Sequence, residues 1–260
     1  MTSADDTPVA DVAVAGPTAR QRRGVLFGLI GVLVAVVAGG FWLTREDPPP
    51  PPKPDIPLDA WAPYWALDDA LPEFEKRVGS LRDVSPFWFN ATGVDSIEID
   101  TNALDEGLDE FFEIAADAGV NVVPSIIDAM PAGSMAAIIA DPGTRTQHVE
   151  TIRSFAAGLD VAGIDIDYEQ FAFADGRDTW AATRPNWVAF IAELGAALRA
   201  DSRTLAVSIP PVYDAGQTAD SGYWVYDYGA IAQHVDRIRI MAYDFSVGEA
   251  GPIAPLDFVE

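Results

Sequence analysis

Gly163-Ile164-Asp165-Ile166-Asp167-Tyr168-Glu169 is the stretch on which the fold of this chain turns. Side chains alternate across a β-strand, so Asp165, Asp167 and Glu169 share one face and Ile164, Ile166 and Tyr168 the other. By the usual rise the three carboxyls lie ~6–7 Å apart along the strand. The apolar set suits an outer face covered by helices, and the acidic set then points into an interior. Like charges held together out of water raise their own proton affinity, which is useful where a proton donor must work beside a negative group. Two other readings compete. A solvated acidic face is disfavoured because parallel strands are normally buried on both sides. A Ca²⁺ or Mg²⁺ site suits clustered carboxylates, but an EF-hand loop needs a Gly after the third acidic position, and the bulky apolar residues between these acids favour a strand. No metal and no cofactor is expected.

The same alternation of apolar runs and amphipathic stretches extends in both directions. Strands are expected over Ala60–Leu67, Val84–Asn90, Asn121–Ile127, Gly163–Glu169, Thr204–Pro210 and Arg237–Tyr243. Helices are expected over Asp68–Ser80, Asp105–Ala118 with Gly119 as its stop, around Arg145–Leu159, from Trp180 to Ala200, and near Tyr228–Val235. Alternating elements of this kind build a parallel sheet with crossover helices. A nucleotide-binding open sheet would show a glycine-rich loop after its first strand, and Ala66-Leu67-Asp68-Asp69-Ala70 stands there instead. The expected class is therefore α/β, a (β/α)8 TIM-barrel type. From Trp61 to Glu260 there are 200 residues and about six β/α units, so the barrel is expected to be incomplete at its C-terminal side, and this chain alone to turn over little.

Gly24 to Leu43 holds 20 consecutive residues without a charge, enough for a helix of ~30 Å, the thickness of a bilayer core. Arg20, Arg22 and Arg23 precede it, so the expected anchor leaves residues 1–23 in the cytoplasm and the barrel outside the cell membrane. A cleaved signal peptide is the rival reading, with an unusually long apolar region and no clean A-x-A site. Pro48 to Pro52 follow unbroken, and residues 44–58 are expected to form a semi-rigid polyproline linker before a domain over 59–260. A docking motif for proline-reading modules is its alternative.

Composition sets outer limits. With 49% hydrophobic and 22% charged residues, the 260-residue chain has material for a substantial core. Forty acidic residues against 16 basic ones, a formal charge of −24, exclude a nucleic-acid partner that needs a clustered positive field. There is no Cys, and only His148 and His234, both on helical stretches and read as packing or surface residues, so thiolate chemistry and Cys/His zinc sites are excluded.

The central stretch resembles the DxxDxDxE signature of glycoside hydrolase family 18, the chitinase-like enzymes, and Met241-Ala242-Tyr243-Asp244 is similar to that family's M-x-Y-D motif. Ser85-Pro86-Phe87-Trp88-Phe89 resembles its spore-cortex and peptidoglycan branch. The resemblance implies substrate-assisted, retaining hydrolysis of a polysaccharide containing β-linked N-acetylglucosamine. Glu169 would then be the general acid, Asp167 would orient the substrate's acetamido group, Asp165 would share a proton behind it, and Tyr243 and Asp244, next to Met241, would hold the acetamido carbonyl and the sugar. Tyr64, Trp65 and Trp88 are candidates to line the cleft, with core packing as the competing reading. Two departures stand out: Ala162 replaces the motif's first Asp, and the family's S-x-G-G is Ser125-Ile126-Ile127-Asp128, where Ser125 is expected to bond to Asp165. A catalytically impaired carbohydrate-binding barrel is the alternative function.

Overall fold

The computed structural model describes residues 57–103, 107–211, 224–246 and 248–259. The expected cytoplasmic tail, membrane span and nearly all of the linker lie outside the described residues. Among the described residues no helix is long and apolar enough to cross a membrane.

Strands β1 (Leu58–Pro63), β2 (Leu81–Ala91), β3 (Ile97–Ile99), β4 (Asn121–Val122), β5 (Ser125–Asp128), β6 (Gly163–Asp167), β7 (Thr204–Ile209) and β8 (Arg237–Ile240) form one sheet. Its spine runs β1-β2-β5-β6-β7-β8 with every neighbour parallel, and β3 and β4 pair with β2, β3 in the antiparallel sense. The longer helices are α1 (Leu67–Arg77), α2 (Leu108–Ala118), α3 (Ser134–Ala140), α4 (Pro142–Gly158) and α6 (Trp180–Ala200); α5 (Gln170–Phe173), α7 (Tyr228–Ile231) and α8 (Leu256–Val259) are single turns. Six parallel β/α units therefore appear in the expected order. The sheet is curled, because side chains of β1 and β2 reach those of β6 and β8 across its concave face, as the Trp61–Asp165 and Ser85–Arg239 contacts show.

Local chemistry explains where the elements stop. Pro63 ends β1 early, and Tyr64–Ala66 turn as a 3₁₀ segment instead of continuing the expected strand to Leu67. The expected third strand is split into β4 and β5 around Val123-Pro124, since Pro has no N–H for the ladder. Helix α4 starts at Pro142, earlier than Arg145, because Asp141 accepts the Gly143 and Thr144 N–H groups and Pro142 occupies the first helical position. Gly119 stops α2 as expected, in the left-handed region at φ 67°. The expected hydrophobic face is the outer one: Ile164, Ile166, Leu205, Val207 and Ile209 are buried in the layer shared with Trp187, Phe190, Ile191 and Leu194 of α6.

Trp88 belongs to this layer and not to the cleft, a correction to the sequence reading. It is 1% exposed and packs edge-on against Phe111 and Phe112 of α2. The reason is a β-bulge: the β2–β5 register skips between Phe87 and Phe89, which sends both Trp88 and Phe89 outward.

Candidate active site

Strand β6 ends at Asp167, so Glu169 stands just beyond it, at the N-cap of α5 with helical backbone angles. This bend carries Glu169 over the end of the barrel, where it lines a cavity of about 270 Å³ with Asp167, Asp128, Gln170, Ile127, Phe87 and Phe173. The bend is held by Asp128 at the end of β5. Its Oδ1 accepts the Glu169 N–H at 3.0 Å, its Oδ2 accepts the Gln170 N–H at 3.2 Å, and its backbone carbonyl accepts the Gln170 side-chain amide at 3.3 Å. A carboxylate from the neighbouring strand thus caps the short helix that presents Glu169.

Asp165 lies deeper and is fully buried. Ser125 donates to it at 2.7 Å, as expected, Ser208 at 2.9 Å, and the Trp61 indole N–H at 3.2 Å, while Arg239 forms an ion pair with it at 3.0 Å. Asp167 is different: it is 4% exposed, and its Oδ1 has no hydrogen-bond partner among the described residues. Tyr168, on the opposite face, is buried in the outer layer, where its hydroxyl and His148 Nε2 are 2.7 Å apart and Tyr226 donates to its carbonyl at 2.8 Å. His148 is a packing residue, as expected.

Proton affinities follow from these surroundings. Burial, then the charges of Glu169, Asp165 and Asp128, push Asp167 well above the usual carboxylate range, with Arg239 pulling the other way. Burial raises Asp128 to about 7 against two backbone N–H bonds. Burial and the Asp244 charge raise Glu169. The Tyr243 hydroxyl is lifted to about 12 by burial and by the charges of Asp167, Glu169, Asp244 and Asp165. The arrangement therefore favours the protonated form of these carboxyls, the form from which a proton can be donated to a bound molecule.

These shifts make stability depend on pH. A carboxyl whose folded proton affinity exceeds its unfolded one stabilises fully below the unfolded value and loses that contribution as pH rises through the folded value. For Asp128 the window runs from 3.8 to about 7 and carries at most ~4 kcal/mol. The lowered acids, Asp59, Glu73, Asp100, Asp141 and Asp201, act in the opposite sense and only below the usual range. The thermal midpoint is thus expected to fall between pH 4 and pH 7, and Asp128→Asn to flatten that slope; calorimetry at fixed ionic strength checks both.

Other expected site residues distribute as follows. Trp65 is 64% exposed and meets Phe87 edge-on, at the rim of the cavity, while Tyr64 packs between Trp65 and the core. Met241 is buried at the end of β8, and Asp244 is exposed with φ 58°. Asp128, Gln170, Phe87, Phe173, Trp61, Ser208 and Arg239 were not anticipated. For Arg239 a signal existed: Arg237-Ile238-Arg239-Ile240 alternates just as the acidic stretch does. For Asp128 there was none, since its partners are backbone groups of another strand.

The sequence profile of glycosyl hydrolases family 18 matches residues 87–259, two thirds of the chain. The chain belongs to this family. Over 123 residues it is 31% identical to YdhD of Bacillus subtilis (strain 168), described as a sporulation-specific glycosylase, a match that covers 46% of this chain and 26% of that protein. The spore cortex-lytic enzyme SleL of Bacillus megaterium QM B1551 superposes with a TM-score of 0.64 at 17% identity, over 82% of this chain and 47% of that one. The C-terminal domain of a chitinase from Desulfitobacterium hafniense DCB-2 superposes with a TM-score of 0.63 at 22% identity, over 78% and 60%. These likenesses show the family 18 barrel fold. The chain spans about a quarter of the length of the curated relative it matches.

Proposed function

We propose that this family 18 protein is a membrane-anchored glycoside hydrolase that cleaves β-linked N-acetylglucosamine glycans of peptidoglycan or chitin type. One observation carries the reading: Asp167 Oδ1 is buried without a donor among the described residues, in the cavity that it shares with Glu169. An amide N–H of the substrate satisfies such an acceptor, and burial without one is costly. In the proposed reaction Glu169 gives its proton to the glycosidic oxygen as the C1–O bond breaks. The acetamido oxygen forms a bond to C1, giving an oxazolinium ring whose N–H is held by Asp167. Tyr243 donates to the acetamido oxygen. Water then opens the ring, losing a proton to Glu169, and the configuration at C1 is retained. Trp65 and Phe173 offer exposed aromatic faces at the rim for neighbouring sugars.

Anchoring through residues 24–43 would hold the barrel beside the cell's own wall, which favours wall glycan; the descriptions of YdhD and SleL point the same way. A second reading, a binding barrel with little turnover, draws on Asp128, which lines the cavity at a position where the family's S-x-G-G motif has glycine. Proton NMR of the full-length protein on a soluble N-acetylglucosamine oligomer separates them. The β-anomer is expected as the first product; the α-anomer first would overturn retention, and saturable binding without product would favour the second reading.

A further inference from the structure

Beneath Asp167 lies a floor of charge that the reaction above does not use. Asp59, Asp83 and Asp165 interleave there with Arg82, Arg237 and Arg239. Arg82 pairs with Asp59 at 2.7 Å, Arg237 with Asp83 at 2.7 Å, and Arg239 with Asp165 at 3.0 Å. Three carboxylates and three guanidiniums leave the floor neutral. Arg239 is its keystone, since its Nη1 also donates to Ser85 at 2.7 Å, its Nη2 to Asp59 at 3.4 Å, and its guanidinium carbon lies 5.5 Å from the Trp61 ring centroid. It joins β8 to β1, β2 and β6 across the concave face.

We propose that Arg239 is a positioning residue that neutralises Asp165 and pins its carboxylate to the floor, leaving Asp167 as the member of the pair that carries the movable proton. The geometry supports this in two ways. Asp165 Oδ2 receives Trp61, Ser125 and Arg239, and the Ser208 hydroxyl reaches both of its oxygens, so donors from β1, β5, β7 and β8 fix this carboxylate in place. Asp167 Oδ1, by contrast, is free to meet a substrate. A guanidinium suits the task because it stays charged at any working pH and holds several acceptors in one plane. The groups acting on Asp167 are Asp165 and Glu169 along the chain from β6, Asp128 from β5, Arg239 from β8, Tyr243 beyond it, and Tyr226 behind, while Asp244 acts on Glu169 and Tyr243. Arg239 is the one cation among those named. The inference rests on the reading of Asp167 and Glu169 as reacting groups.

The test combines infrared spectroscopy with pH–rate profiles of the full-length protein. The carbonyl band of protonated Asp167, assigned by its loss in Asp167→Asn, is followed against pH. Arg239→Met removes a positive charge, so the band should persist to higher pH, and the alkaline limb of kcat/KM should move up with it by about one pH unit. Arg239→Lys keeps the charge and should leave both in place. Asp59→Asn makes the floor positive and should move both downward, by less; it remains informative if Arg239→Met does not fold. A band that stays put in Asp59→Asn, or that moves as far in Arg239→Lys as in Arg239→Met, overturns the proposal, as does a uniform loss of rate with unmoved limbs. Should no variant, nor the unaltered protein, turn over glycan while the band shifts as described, the hydrolase reading fails and the role of Arg239 stands.

Discussion

Glu169→Gln is expected to lower kcat on an unactivated N-acetylglucosamine oligomer by about 10²–10⁴-fold, the usual contribution of a positioned general acid, while glycan affinity changes by less than about threefold. The size follows from what Gln lacks. Its amide keeps the volume and the backbone bonds to Asp128, so the cavity keeps its shape, but it has no proton to give to the leaving oxygen. Two features make this more than a loss-of-activity test. The deficit should shrink on a nitrophenyl glycoside, whose leaving group departs without protonation. The contribution of Glu169 to the alkaline limb should also vanish for that substrate, leaving the part that Asp167 sets, because burial and Asp244 raise the very group that has been removed. Steady-state kinetics on both substrates, with binding measured by calorimetry, gives the answer. A variant that turns over the oligomer as fast as the parent removes Glu169 from the acid role.

Gly195→Ala should cost about 2 kcal/mol or more of unfolding free energy, although helix propensity alone favours Ala by about 1 kcal/mol. Gly195 lies in the middle of α6, and a β-carbon there would overlap the backbone carbonyl of His234. A carbonyl has no rotamer with which to move aside, so the turn between α7 and β8 must shift. That turn is fixed at its far end, where Asp236 accepts the Leu205 N–H at 2.8 Å, and it leads into the strand carrying Arg239. The substitution should therefore lower stability and loosen the floor under Asp167 together. Gly158→Ala, at the end of α4 and facing open space, is the matched control and should be neutral or slightly stabilising. Denaturant midpoints for the two variants decide the matter; equal midpoints would show that α6 and the turn before β8 are less closely packed than described.

Much of this protein was legible before any coordinates, and for a specific reason. Period-2 alternation in Gly163–Glu169 and helical spacing elsewhere report which face is apolar, and the burial of a face is a local, additive property of the chain. The order of the six parallel strands, the inward acids Asp165 and Asp167, and the stop at Gly119 all follow from it. So does the Ser125–Asp165 bond, since adjacent strands in register bring those residues side by side.

What was not legible depends on register and on backbone partners. A single extra residue in β2 decides that Trp88 enters the core while Phe87 meets the cavity, and no composition rule places a bulge. Asp128 becomes a cap for Glu169 only because β5 ends level with the bend after β6. Arg239 reaches Asp165 only because the sheet curls far enough to bring β8 opposite β1 and β2. The sequence alone thus determined the sheet, its polarity and the identity of the acids, because side-chain alternation is written residue by residue. Only the tertiary structure decided which groups hold those acids and set their protons, because such contacts join strands that are distant along the chain and depend on how far the barrel closes.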